Sequence, residues 1–163
     1  MQIIENIMHA QPEAVTKNDT LKSAASKMER SNIGFLPVVD ENQKVVGTLT
    51  DRDITLAIGK ASKGPQEMKV NEAMNSEIYT IRPEEDAAAA LKLMRTKRVG
   101  RLPVVDSENR LKGVVTLTSI AKKINKSNDQ KELEYNGKEN ILNTLRSIAD
   151  RNKKETVEEP AEE

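Results

Sequence analysis

The sequence predicts a mixed α+β fold of two β-α-β-β-α units related by a pseudo-two-fold axis, followed by a helix and a disordered acidic tail. Three observations point there. The heptapeptide GFLPVVD at 34–40 returns as GRLPVVD at 100–106 with one letter changed. The duplication extends beyond it: a shift of 66 sets Met8 on Met74, Ala24 on Ala90, Met28 on Met94, Gly47 on Gly113, Thr50 on Thr116 and Ile54 on Ile120, without a gap. Within each copy the apolar pattern switches between short extended runs and helical spacing. Solenoid repeats need several copies to bury a core. Two copies of so long a unit suggest two halves that face each other as subunits of an isologous dimer do.

In the first copy EAVT (13–16) is extended, and Asp19 or Thr20 can cap a helix whose stripe is Leu21, Ala24, Ala25 and Met28. FLPVVD is a strand, with Pro37 expected at a strand start or an edge, since proline cannot donate to a ladder. DENQK supplies turn residues, VVGTLT returns as the hairpin partner, and DRDITLAIGKA resumes helix. The second copy repeats the plan. IYTI (78–81) is extended, Pro83 suits a first helical turn, and the stripe is Ala87, Ala90, Leu91 and Met94. RLPVVD with LKGVVT forms the hairpin, and LTSIAKKINK is the closing helix. The expected boundaries are a first unit at 1–61, a polar linker at 62–72 and a second unit at 73–126. A helical extension at 127–154 carries the stripe Ile141, Leu142, Leu145, Ile148 and Ala149, and the acidic tail is 155–163.

Composition narrows the function. Lys plus Arg equals Asp plus Glu at 26 each, so there is no global electrostatic reason to bind nucleic acid or an anionic membrane. Two tyrosines and one phenylalanine are too few for a platform on which the bases of a single strand would stack. There is no cysteine, which excludes disulfides, thiolate metal sites and cysteine nucleophiles. His9 has no second histidine to share a metal, and no nucleophile motif, P-loop or G-x-G-x-x-G is present. No apolar run is long enough to span a membrane and the start lacks a basic leader, so a soluble cytoplasmic protein without catalytic or metal residues is expected.

The β-α-β-β-α unit, the LPVVD strand and the G-x-x-T entry into a helix resemble the CBS domain, a family named after cystathionine beta-synthase. Its units typically occur in tandem pairs called Bateman modules. The resemblance covers residues 1–126, and stand-alone bacterial CBS-pair proteins look most similar. It implies a regulatory module that binds AMP, ADP, ATP or S-adenosylmethionine in clefts between the units. It also implies association of two modules into a homodimer.

Thr50-Asp51-Arg52-Asp53 is where a ligand would be held. A helix N-terminus presents free N–H groups suited to phosphate, Thr50 adds a hydroxyl, and a carboxylate three residues on can accept from a ribose diol. T-x-x-D is equally a capping pattern, in which Thr50 caps and Asp53 returns a bond. In the family it is the ribose–phosphate motif, and Thr50 and Asp53 match it. Family geometry implies a site made of Thr48, Thr50, Asp53, Ile78, Tyr79, Ile81, Arg98, Gly100, Arg101 and Pro103, with the isoleucines and Tyr79 toward adenine and the arginines toward phosphate. The reverse cleft pairs Val15, Gly34 and Phe35 with Thr116 and Ser119. It lacks both the acid and the arginine, so it is expected to be degenerate and one competent site per chain to remain. The alternative function is a structural dimerisation module that has lost its ligand.

Overall fold

The computed structural model describes residues 2–124 and 131–154, with side chains for 2–123 and 138–150. The acidic tail and the last two residues assigned to the second unit lie outside the described residues. In the first repeat, β2 (Val15–Thr16) runs parallel to β3 (Phe35–Val39), and β3 pairs antiparallel with β4 (Val45–Thr50), from Phe35↔Thr50 to Val39↔Val45. In the second sheet the order is β1 (His9–Ala10), β6 (Leu111–Thr116), β5 (Arg101–Val105). The helices are α1 (Leu21–Ser31), α2 (Asp51–Lys60), α3 (Ala87–Lys97), α4 (Leu117–Ile124) and α5 (Lys131–Lys154).

Local chemistry sets the joints. Of the two capping candidates Thr20 acts: its hydroxyl accepts from Ser23 N at 3.1 Å, while Asp86 does the same for Ala89 N at 2.8 Å ahead of α3. Both helices end on a residue in the left-handed region, Asn32 and Arg98, which turns the chain into the next strand. The last letter of the heptapeptide makes the hairpin turn. One carboxylate oxygen of Asp40 accepts from Asn42 N and Lys44 N, and Asp106 does likewise with Glu108 N and Arg110 N.

Asp106 carries more than its turn. The backbone N–H of Arg110 holds its carboxyl well below the usual carboxylate range, aided by the Arg110 side chain, the Glu108 N–H and Lys112 against the opposing effect of burial. A carboxyl depressed in the folded state adds stability that is complete above the unfolded value and lost as pH falls through the folded one. Asp106→Asn should therefore lower the urea midpoint at neutral pH, with the deficit closing below the ordinary carboxylate range. A deficit independent of pH would contradict this assignment.

Four expectations are corrected. Pro37 sits inside β3, the central strand of its sheet, and not at a start or edge. It is tolerated because β2 reaches only Val38 and Val39, so Pro37 lies beyond its parallel partner. Pro83 lies in the turn before α3, where Glu85 N bonds Arg82 O, and not in the helix. IYTI forms no strand beyond a bridge at Ile81, where a strand of the repeating unit was expected, and Ala25 is exposed. The equivalent of Ala25 is Leu91, which is buried where α5 packs on α3.

The chain divides into two compact units that are not the two repeats. Among the described residues, one gathers those up to Met8, Ile81–Leu102 and those from Val114 on; the other gathers His9–Thr80 and Pro103–Gly113. Each repeat's leading segment docks on the helix start of the other. Ile4 N bonds Glu85 O, Glu5 N bonds Pro83 O, and Ala87 N bonds Gln2 O. In the same register Val70 N bonds Asp19 O, Asn71 N bonds Lys17 O, and Leu21 N bonds Met68 O. The docked side chains complete the cores. Met68 and Val70 join Val15, Leu21, Leu36 and Leu49, and Ile4 is fully buried in its own unit.

Helix α5 packs on α3 and α4. Its contact row differs from the expected apolar stripe: Leu142 and Leu145 are 48% and 50% exposed, while Thr144 is buried. Thr144 Oγ1 donates to Asn140 O of its own helix at 2.7 Å and stands 3.4 Å from Leu91 O, while Ser147 Oγ donates to Arg95 O at 2.9 Å. Small hydroxyl side chains let the two helix backbones approach and bond, which leucine could not.

Candidate functional site

The N-terminus of α2 is built as a capping box. Thr50 Oγ1 accepts from Asp53 N at 3.1 Å, and Asp53 Oδ2 accepts from Thr50 N at 2.9 Å and from Thr50 Oγ1 at 2.6 Å. All of these bonds to the carboxylate fall on Oδ2, and Oδ1 accepts none among the described residues. The cap therefore occupies one oxygen of the Asp53 carboxylate. In the second repeat the hydroxyl of Ser119 accepts from Thr116 N at 3.1 Å and spends its proton on Thr116 O at 2.9 Å. It has no second oxygen and no charge to offer.

Thr48, Thr50, Asp53, Ile78, Tyr79 and Pro103 belong to one compact unit, with Val15, Gly34 and Phe35; Ile81, Arg98, Gly100, Arg101, Thr116 and Ser119 belong to the other. Within the first of these, Thr48 is locked to Asn75 by paired backbone bonds at 3.0 and 2.9 Å. Ile78, three residues on, packs against Val39, Val45 and Val105. The Tyr79 hydroxyl donates to Glu77, whose carboxylate pushes the phenol up from its ordinary value. Val15 and Ile81 are buried, so their side chains serve the core and only their backbone groups are available to a ligand. Arg98 caps α3, Gly100 precedes β5, and Arg101 opens that strand with its side chain exposed.

The two glycines of the repeated heptapeptide have different neighbours, and that of Gly100, Ile148, was not legible as a site residue. The carboxylate of Asp51 lies over Gly34: a methyl placed on that glycine would stand 2.6 Å from Asp51 Oδ2. At Gly100 the nearest atom to such a methyl is Ile148 Cδ1 of α5, at 3.8 Å. Asp51 Oδ1 accepts from Arg52 N at 2.8 Å and Asp53 Oδ2 from Thr50, and no cluster of three or more metal-ligating side chains occurs among the described residues.

These features make a duplicated α+β architecture, and comparison with known proteins shows its family. The CBS domain model matches residues 4–60 and again 70–126, and the chain belongs to that family as a tandem pair. It is 36% identical to the CBS domain-containing protein YhcV of Bacillus subtilis over 124 residues, covering 74% of this chain and 84% of that protein. It is 38% identical over 109 residues to an inosine-5'-monophosphate dehydrogenase of Methanocaldococcus jannaschii, covering 67% of this chain but only 21% of the enzyme. The fold matches the crystal structure of the CBS domain pair of protein MJ0100 in complex with 5'-methylthioadenosine and S-adenosyl-L-methionine. That match has a TM-score of 0.68 at 27% identity, over 75% of this chain and 98% of that one. No helix among the described residues is long and apolar enough to cross a membrane.

Proposed function

We propose that this chain is a non-catalytic regulatory module that binds an adenosine nucleotide or S-adenosylmethionine and signals through a change in module arrangement. The observation that carries the reading is the split use of Asp53, whose Oδ2 closes the cap while Oδ1 is left for a ribose diol. Thr48 and Thr50 stand on the same strand end, Ile78 and Tyr79 flank the adenine, and Ile81 and Pro103, whose side chains are buried, offer it only backbone. Arg98, Gly100 and Arg101 receive the phosphates. The pairing of these groups into one cleft follows the family resemblance, as do the unit boundaries 1–61 and 73–126. Support for an adenosine ligand comes from the 5'-methylthioadenosine and S-adenosyl-L-methionine held by the MJ0100 pair. The module works in the cytoplasm as a homodimer, and its partner is a regulated protein.

A thermal-shift panel of AMP, ADP, ATP and S-adenosylmethionine tests the reading, because a ligand that binds only the native state raises the melting temperature. At least one should do so, and Ser119→Ala should leave the shift intact. No shift with any of the four favours the second reading, a dimerisation module without a ligand.

A further inference from the structure

We infer that the outer face of α5 is a homodimer surface, on which α5 of a second copy lies antiparallel. The inference rests on the homodimer proposed above and adds where the two copies meet. A surface helix ordinarily turns its apolar stripe to the core. Helix α5 does the opposite. Thr144 is buried where α5 meets α3, and Ser147 Oγ donates to Arg95 O. Leu142 and Leu145 stay outside, half exposed, and Ala149 is exposed with them. The three are spaced by three and then four residues, so they form one stripe on the side away from Thr144 and Ser147. That spacing is also the seam of two packed helices. An apolar stripe turned away from its own core, with hydroxyls in its place, fits a helix that has a second partner.

The charges beside the stripe identify that partner as another α5. Exposed Glu139 and Arg146 are seven residues apart, two helical turns, and lie on one flank of the leucines. The midpoint between them is one residue, about 1.5 Å along the axis, from the midpoint between Leu142 and Leu145. A two-fold axis at that level sets Leu142 against Leu145 of the second copy. It also brings Glu139 to Arg146 of the second copy, and symmetry makes each pair twice. In a parallel pairing Arg146 is level with Arg146 and Glu139 with Glu139, and like charges across an interface oppose association.

Sedimentation equilibrium of the full chain tests the surface. The wild type should be dimeric. Leu142→Gln with Leu145→Gln should raise the dissociation constant roughly tenfold or more, since symmetry removes each leucine twice. Glu139→Arg and Arg146→Glu should each weaken the dimer, and an equal mixture of the two should regain wild-type affinity because each then meets the opposite charge. The mixture also shows that both variants are folded. A wild-type dimer that the leucine replacements leave as tight as before would overturn this surface while the homodimer stands, and so would a mixture no tighter than either variant alone. A wild type that stays monomeric would bring down the homodimer reading as well and give the stripe to a different protein. The chain has no cysteine, so Leu142→Cys and Leu145→Cys report orientation: oxidised together they should give more crosslinked dimer than either alone. The reverse order would make the pairing parallel and overturn the inference.

Discussion

Asp53→Ala should weaken AMP binding by roughly a hundredfold or more. A carboxylate that accepts from both hydroxyls of a ribose makes two charge-assisted bonds, each worth about 1.5–3 kcal/mol, and alanine removes both. The same substitution takes the reciprocal bonds out of the capping box at Thr50, at a cost of about 1 kcal/mol of stability. Two measurements separate the effects: calorimetry reads the affinity, and a melt without ligand reads the cap. Asp53→Asn keeps the side chain's size but loses the charge and one acceptor, and should fall between the two. If Asp53→Ala lowers only the ligand-free melting temperature, Asp53 is a cap and nothing more.

Ile4→Ala should cost about 2–5 kcal/mol, the range for emptying a fully buried aliphatic site. The position lies near the chain start, where truncation is ordinarily tolerated. Here the segment is fastened by Ile4 N to Glu85 O at 2.8 Å, Glu5 N to Pro83 O at 2.9 Å and Ala87 N to Gln2 O at 2.9 Å. Ile4 is the anchor those bonds hold in place. Exposed Glu5, its neighbour, is the control: Glu5→Ala should stay within about 0.5 kcal/mol. Equal urea midpoints for the two variants would mean that the leading segment does not belong to the core.

Much of the fold was legible because the two copies check each other. Heptapeptide, turn aspartate and helix stripe recur at one spacing, so a reading made on one copy had to hold on the other. The misreadings came where the copies differ in surroundings. Ala25 and Leu91 occupy equivalent positions, but α5 covers only Leu91. Pro37 looked unfit for a central strand because the reach of β2, just two residues, is not written in β3. The apolar stripe of α5 misled because the helix meets α3 through Thr144 and Ser147, which hydropathy does not favour. At the site, T-x-x-D was readable as a cap or as a ribose grip. Deciding how its oxygens are shared needed their hydrogen bonds.

The sequence by itself determined the duplication, the two hairpins with their aspartate turns and the contrast between Asp53 and Ser119. Each depends on groups within about four residues of one another, so composition and spacing carry the physics. Only the tertiary structure decided that each leading segment docks on the other repeat's helix, and that the Asp51 carboxylate lies over Gly34 while a methyl of Ile148 stands nearest to Gly100. Those outcomes depend on groups far apart in the chain meeting in space. Close packing there admits one side chain and excludes another, and no local pattern records which.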